Sequence, residues 1–338
     1  MSKEDVSGRY AYKWLICDST PLMAIFMTLA LVASTDSAGL STAFYSSSCP
    51  KLFSTVKPIV QSAINKNPRM GACLLRLFFH DCFVNGCDAS LLLDDAPNFI
   101  GEKNVPPNKN SACGFEVIDQ IKSAVERVCP GRVSCADIVA IAARDTVGIL
   151  GGPKWEVQLG RLDARATNPI IANISIPTSK ASLNELILRF SGAALNQRDL
   201  VALSGAHTLG QAQCYNFRKR IYNEDNINND FAEQGRAKCP KTPGSGDAIL
   251  ASIDAETPTV FDNSYYKNLV QKKGPLHSDQ QLFSGGQTDS LVKTYSESQE
   301  SFFMDFVIAM LKMGSINPLI GPPFGEVRVI CRRINPLF

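Results

Sequence analysis

Ten cysteines scattered from Cys49 to Cys331 constrain this chain more than any other feature. With Cys17 they make eleven, a high count, and their spacing gives separated pairs rather than the CxxC clusters of a zinc site. Such a pattern reads as a disulfide framework made in an oxidising compartment. The chain is 338 residues long, 45% apolar and 20% charged, so a sizeable core can form inside that framework. A formal charge of +2, with Lys and Arg dispersed, points away from a nucleic-acid partner. Histidine is as scarce as cysteine is common: only His80, His207 and His277 are present. Three histidines without an HExxH spacing do not make a zinc hydrolase.

The run from Pro21 to Ala33 is largely apolar. It suits a signal-peptide core and falls short of the roughly 20 residues that span a bilayer. Small residues follow it (Ala33, Ser34, Ser37, Ala38), as a signal peptidase requires. Residues 1–38 are therefore read as a signal peptide, with the mature chain exported and free of the membrane. The segment before the run is long and carries Glu4, Asp5 and Asp18, which an upstream start codon would account for. A membrane anchor is the competing reading, and the short run disfavours it.

Beyond residue 38, helical periodicity dominates. Val56, Ile59, Val60, Ala63 and Ile64 form one stripe, and Val117, Ile118, Ile121, Ala124, Val125 and Val128 a second. Phe302, Phe303, Phe306, Val307 and Met310 form another face near the end. Ser134-x-x-Asp137 and Ser182-x-x-Glu185 have the form of capping boxes, and Asn196 opens a helical run from Leu200 to Gly210. Strand-like alternation is brief, as around Trp155–Leu159, and Pro-, Gly- and Asn-rich loops such as Pro106-Pro107-Asn108 separate the helices. The fold class is mainly α, stapled by disulfides.

Two histidine segments carry the chemistry. Arg76, Phe79 and His80 lie at i, i+3 and i+4 near the end of an apolar helical run, and so share one face. A guanidinium and an imidazole projecting together from a hydrophobic helix are costly unless something polar stands opposite. His207 follows Leu203-Ser204-Gly205-Ala206, small neighbours that let a flat group approach the backbone. Taken singly, each is equally a structural histidine.

Taken together, the segments resemble a known family. The string from Gly71 to Asp95, with Arg76-Leu77-Phe78-Phe79-His80-Asp81-Cys82-Phe83-Val84-Asn85-Gly86-Cys87-Asp88-Ala89-Ser90, is similar to the distal haem segment of secreted plant (class III) peroxidases. Val201–Cys214 resembles their proximal segment, and Phe44–Pro50, Gly152-Pro153-x-Trp155, Leu159-Gly160-Arg161 and Cys331-Arg332-Arg333 continue the likeness from about Leu40 to Asn335. The resemblance implies a helical haem peroxidase domain over residues 39–338, with one haem b and helices on both sides of it. It implies His207 as the iron ligand, with Asp279 accepting that ring's other N–H. It implies His80 as the general base toward hydrogen peroxide, Arg76 as the cation that stabilises developing negative charge, and Asn108 as the residue that orients His80. Phe79 becomes an aromatic wall of the haem site, and Pro177 a contact for aromatic donors.

Two calcium ions follow from the same likeness. Asp81, Val84, Gly86, Asp88 and Ser90 would hold the first, with Glu102 tied to it through water. Thr208, Asp254, Thr257, Val260 and Asp262 would hold the second, oxygen donors suited to a hard cation. Disulfide connectivity does not follow from the sequence itself. The resemblance implies Cys49–Cys129, Cys82–Cys87, Cys135–Cys331 and Cys214–Cys239. Cys73 and Cys113 stand where the family usually carries other residues. They are expected to be buried free thiols, with an additional bridge as the alternative. Asn173-Ile174-Ser175 is a glycosylation acceptor, expected in a loop.

Other departures touch no catalytic role: Phe78 where many relatives carry a second His, Leu162 where Arg is usual, Gly39 at the expected mature N-terminus, and a loop one residue longer at Leu319–Glu326. Trp155 is the only tryptophan beyond residue 38, and Ile253 stands near where the proximal tryptophan of the intracellular cytochrome c peroxidase type would be. Hydrogen peroxide and small phenolic donors, oxidised in one-electron steps, are thus the expected substrates of a monomer. A short tail after Cys331 favours cell wall or apoplast over vacuole. A secreted binding protein that kept the fold and lost turnover is disfavoured, because Arg76, His80, Asn108, His207 and Asp279 are present together.

Overall fold

The computed structural model describes residues 39–336; residues 1–38, and with them the expected signal peptide, lie outside the described residues. Thirteen α-helices are present among them. Four make the first half: α1 (Leu52–Lys66), α2 (Arg69–Cys82), α3 (Phe115–Val128) and α4 (Cys135–Ile149). The short α5 (Pro169–Ser175) leads to α6 (Leu183–Gly192) and α7 (Gln197–Ser204). Then come α8 (Cys214–Asn223), α9 (Asn229–Lys238), α10 (Ser264–Val270), α11 (His277–Gln281), α12 (Asp289–Glu297) and α13 (Gln299–Met313). The only sheet among the described residues pairs β1 (Gln211–Gln213) with β2 (Leu250–Ser252), antiparallel. Each strand is three residues long, too short for its alternation to be read from sequence; around Trp155–Leu159 only an isolated bridge from Leu159 to Ser41 forms.

The apolar stripes decide the packing. Val56, Val60 and Ile64 are buried on α1, which lies on α3 and α4, and α2 packs along α4. On α3, Val117, Ile118, Ile121, Ala124 and Val125 are buried, but Val128 is exposed where the helix ends at Cys129. α13 packs against α7 through a face of Phe302, Phe306, Ala309, Met310 and Met313.

The caps refine the sequence reading. Ser182 and Glu185 form a complete capping box at α6. Ser134 does accept from the Asp137 amide, but the Asp137 carboxylate does not return to the Ser134 backbone. It accepts instead from Tyr45 Oη (2.8 Å), the Gly160 amide (2.7 Å) and Arg161 Nη1 (2.8 Å). A fully buried carboxylate is retained only when charge and hydrogen bonds compensate it, and Arg161 does both. Asn196 caps α7, yet that helix ends at Ser204, and a 3-10 turn, Gly205–Thr208, carries the chain through His207. His207 is thus presented by the tighter turn rather than by the longer helix the sequence predicts. The turn lies where Gly205 backs directly onto Tyr266 and Phe302, leaving no room for a side chain.

Five disulfides join the described cysteines: Cys49–Cys129, Cys73–Cys113, Cys82–Cys87, Cys135–Cys331 and Cys214–Cys239. Cys73 and Cys113 are therefore not free thiols. The loop before Gly114 folds back over α2 and brings their Cα atoms to 5.1 Å, within ordinary disulfide reach.

Candidate active site

α2 runs along one wall of a cavity of about 570 Å³, and the 3-10 turn after α7 forms part of the opposite wall. We call the wall bearing His80 distal and the wall bearing His207 proximal. Arg76, Phe79 and His80 line the first, His207 and Leu209 the second, with Ile253 and Leu276 among the apolar residues between. The volume is that of a site enclosing a cofactor. His207 has a side-chain accessibility of 41%, but the surface it exposes is cavity wall.

Each imidazole is fixed through Nδ1, and each by a different partner. Asn108 donates from Nδ2 to the Glu102 carbonyl (2.8 Å), so its Oδ1 is the atom 2.5 Å from His80 Nδ1. His80 Nδ1 therefore carries the proton, and Nε2 keeps a lone pair. Burial and the nearby Arg76 charge hold His80 well below its ordinary pKa, against the opposing pull of the Asn108 hydrogen bond. At neutral pH the ring is an uncharged acceptor.

His207 Nδ1 lies 2.8 Å from Asp279 Oδ1, which can only accept, so Nε2 is again the free nitrogen. The same oxygen accepts from Tyr265 Oη at 3.0 Å, while Asp279 Oδ2 is buried without a partner. Burial opposes protonation of His207, but the charge and hydrogen bond of Asp279 outweigh it and raise the pKa. Nothing in the sequence pattern marks Tyr265, which reaches Asp279 from another helix.

Arg76 donates from Nη2 to the Pro107 carbonyl (2.9 Å) and to Ser111 Oγ (3.2 Å). Burial and the like charge of Arg69 lower its pKa to about 10, which leaves it cationic at neutral pH. Pro107 and Ser111 were not legible as its partners; only the loop that contains them was. His277 pairs with Glu224 (2.8 Å) and does not line the cavity.

Two oxygen-rich clusters flank the walls. Beyond His80, Asp81 and Asp88 are buried with Ser90 and Glu102, and Asp81 Oδ1, Ser90 Oγ and Glu102 Oε2 have no hydrogen-bond partner. Desolvation pushes Asp81 and Asp88 above the usual carboxylate range and Glu102 to about 7. Gly86, at φ +124°, lets this turn settle onto the carbonyls of Ile316 and Asn317 where a Cβ would collide. Val84 lies in the same turn, which Cys82–Cys87 closes. Beyond His207, the single Thr208 hydroxyl hydrogen faces Asp254 Oδ2 (3.0 Å), Asp262 Oδ1 (3.3 Å) and the Val260 carbonyl (3.5 Å). Thr257 Oγ1 lies 3.1 Å from the same Asp262 oxygen. Among the described residues no three His, Cys, Asp or Glu side chains converge as a metal site. A cation at either cluster would therefore draw on hydroxyls and carbonyls as well as paired carboxylates.

At the cavity mouth stand Pro177, Lys180 and Tyr215, with the Lys180 ammonium 4.6 Å from the Tyr215 ring centroid. Asn173 also borders the mouth, on α5 rather than in the loop its sequon suggests: Pro169 at the start of that helix and the Asn168 cap make a helix of the segment.

Comparison with known proteins gives the family. Residues 56–298 match the family model described as Peroxidase. The chain is 60% identical over 307 residues to Peroxidase 4 of Vitis vinifera, covering 91% of this chain and 95% of that one. It is 59% identical over 296 residues to Peroxidase P7 of Brassica rapa subsp. rapa, covering 88% of this chain and all of the relative. Peroxidase 67 of Arabidopsis thaliana is 54% identical over 314 residues, 93% of this chain and 99% of that one. A cavity bordered by two imidazoles, each anchored through Nδ1, suits the haem that this family uses. The chain belongs to the plant (class III) peroxidases, haem enzymes that reduce hydrogen peroxide while oxidising a donor.

Proposed function

We propose that this peroxidase takes small phenols as donors, with His80 and Arg76 acting on peroxide and His207 binding the haem iron. The observation that carries this reading is the pair of imidazoles on opposite cavity walls, one fixed by an amide oxygen and the other by a carboxylate. Haem, when bound, supplies the redox-active iron that takes up peroxide and later accepts single electrons from the donor. His207 would ligate it through Nε2, and the Asp279 hydrogen bond would make that imidazole a stronger electron donor. His80 Nε2, uncharged and uncommitted, takes a proton from one peroxide oxygen and delivers it to the other, so that water leaves. Arg76, cationic and held by Pro107 and Ser111, faces the negative charge that develops as the O–O bond opens. Phe79, which packs against Phe83 (4.2 Å between centroids), would serve as an aromatic wall of the haem site. Phenols would then meet the haem at the mouth, beside Pro177.

Two calcium ions complete the reading. Asp81, Asp88, Ser90 and the carbonyls of Val84 and Gly86 would take one, and the partnerless oxygens there support it. Thr208, Asp254, Thr257, Asp262 and the Val260 carbonyl would take the other. Among the described residues no helix is long and apolar enough to cross a membrane. We further infer a secreted monomer of the cell wall or apoplast, glycosylated at the exposed Asn173. The test is purification with haem and calcium, followed by absorption spectroscopy and assay on guaiacol. A histidine-ligated ferric spectrum with peroxide-dependent oxidation is expected; bound haem without oxidation of any phenol would sink the donor assignment.

A further inference from the structure

We propose that the Cys73–Cys113 disulfide is a positioning bond for the distal machinery, clamping the loop that holds Arg76 and His80 onto the helix that bears them. The inference rests on the roles assigned to those two residues above. From Leu93 to Gly114 the chain runs without a regular helix or strand, and this loop supplies every partner that orients the distal pair. Pro107 and Ser111 accept from Arg76, and Asn108 accepts from His80.

The two ends of the loop are secured differently. At the first end, Asp95 accepts from the Gly101 amide (2.6 Å) and Asn104 Nδ2 (2.7 Å), and Glu102 accepts from the Asn168 amide (2.8 Å). At the second end the covalent link is Cys113, two residues after Ser111, joined to Cys73, three residues before Arg76. Cys73 is 5% exposed, and both cysteines line the cavity. Gly114 confirms how closely the loop end sits on the helix: at φ +91°, a Cβ there would lie 3.2 Å from Leu74 Cδ2 and 3.3 Å from Cys73 Cβ. Without the bridge, the loop's second end keeps that packing, its continuation into α3 at Phe115, the hydrogen bonds from Arg76 and His80 themselves and one from Gln213 to the Asn110 carbonyl. A shift of about 1 Å in such partners is enough to cost a hundredfold in rate.

The test compares the holoenzyme with Cys73→Ser/Cys113→Ser, and with Cys73→Ala/Cys113→Val should the first fail to fold. Hydrogen cyanide serves as an equilibrium probe, because, like peroxide, it must give its proton to a distal base and leave an anion beside a cation. Expected are faster amide exchange over residues 105–113, cyanide affinity weaker by about tenfold or more, and a similar fall in the second-order rate with peroxide. The saturating rate with respect to phenol, at excess peroxide, should hold. Lower thermal stability with unchanged cyanide affinity and peroxide rate would reduce the bridge to a staple and overturn the proposal. A His80→Ala control separates the two levels. If it leaves cyanide binding intact, the distal reading fails and takes this proposal with it. If it weakens binding while the bridge variant does not, the proposal fails alone.

Discussion

The two cavity walls present the same side chain with opposite electrostatics. On the distal wall, His80 leans on a neutral amide oxygen, and burial with a neighbouring guanidinium keeps it uncharged. On the proximal wall, His207 leans on a carboxylate strong enough to overcome burial. Both rings expose Nε2 to the cavity, so the difference lies in the residue behind each ring rather than in the ring. An amide fixes a tautomer without adding charge, leaving a base of moderate strength ready for a proton. A carboxylate fixes the same tautomer and enriches the ring in electrons, which is what a metal ligand needs.

That contrast can be broken outright. His207→Ala should lose most of its haem, read as the ratio of haem to protein absorbance after gel filtration. His80→Ala should keep its haem and lose about 10²- to 10⁴-fold in its rate with peroxide. Equal haem loss in both would erase the division of labour. Asn108→Asp sharpens it by giving the distal ring a proximal kind of partner. A carboxylate there favours the charged imidazole, so the acid limb of the peroxide pH–rate profile should move upward by about one unit or more, and a stationary limb would show that the charge of the partner behind the ring does not set the basicity of His80.

Calcium removal tests the flanks with a smaller effect. In the calcium-free protein Glu102 is raised from 4.5 to about 7, and Asp81 and Asp88 shift the same way, chiefly by burial. Carboxyls with folded pKa above the unfolded value bind protons on folding, so their stability contribution falls as pH rises. The shift of Glu102 alone amounts to about 3 kcal/mol, lost between roughly pH 4.5 and 7. Chelator should therefore lower the melting temperature more at pH 8 than at pH 5; an equal deficit at both would remove the distal cluster as a cation site.

Much of this was legible from residues alone, for identifiable reasons. The stripes on α1 and α3 follow from burial at helical spacing, and the face shared by Arg76 and His80 follows from one turn of helix. What escaped was set by tertiary packing. Asp137 leaves its capping box because Tyr45, Gly160 and Arg161, distant in sequence, offer a buried carboxylate more than its own helix start does. The turn at His207 is tightened by Tyr266 and Phe302 against Gly205. Cys73 and Cys113 looked like lone small hydrophobes because a long loop's path over a helix leaves no periodic trace.

Arg328 is wholly buried, donates to the Ala89 carbonyl (2.6 Å) and lies 3.8 Å from Asp163, while Cys331 is bonded to Cys135. Residues made later thus complete a portion made earlier. A nascent chain cannot finish that portion until Arg328 and Cys331 have left the ribosome, and the thiol of Cys135 must wait, uncommitted, through the synthesis of nearly two hundred residues (196 in sequence separation) before its mate exists. Premature oxidation of that waiting thiol by a nearer cysteine is the hazard this topology carries.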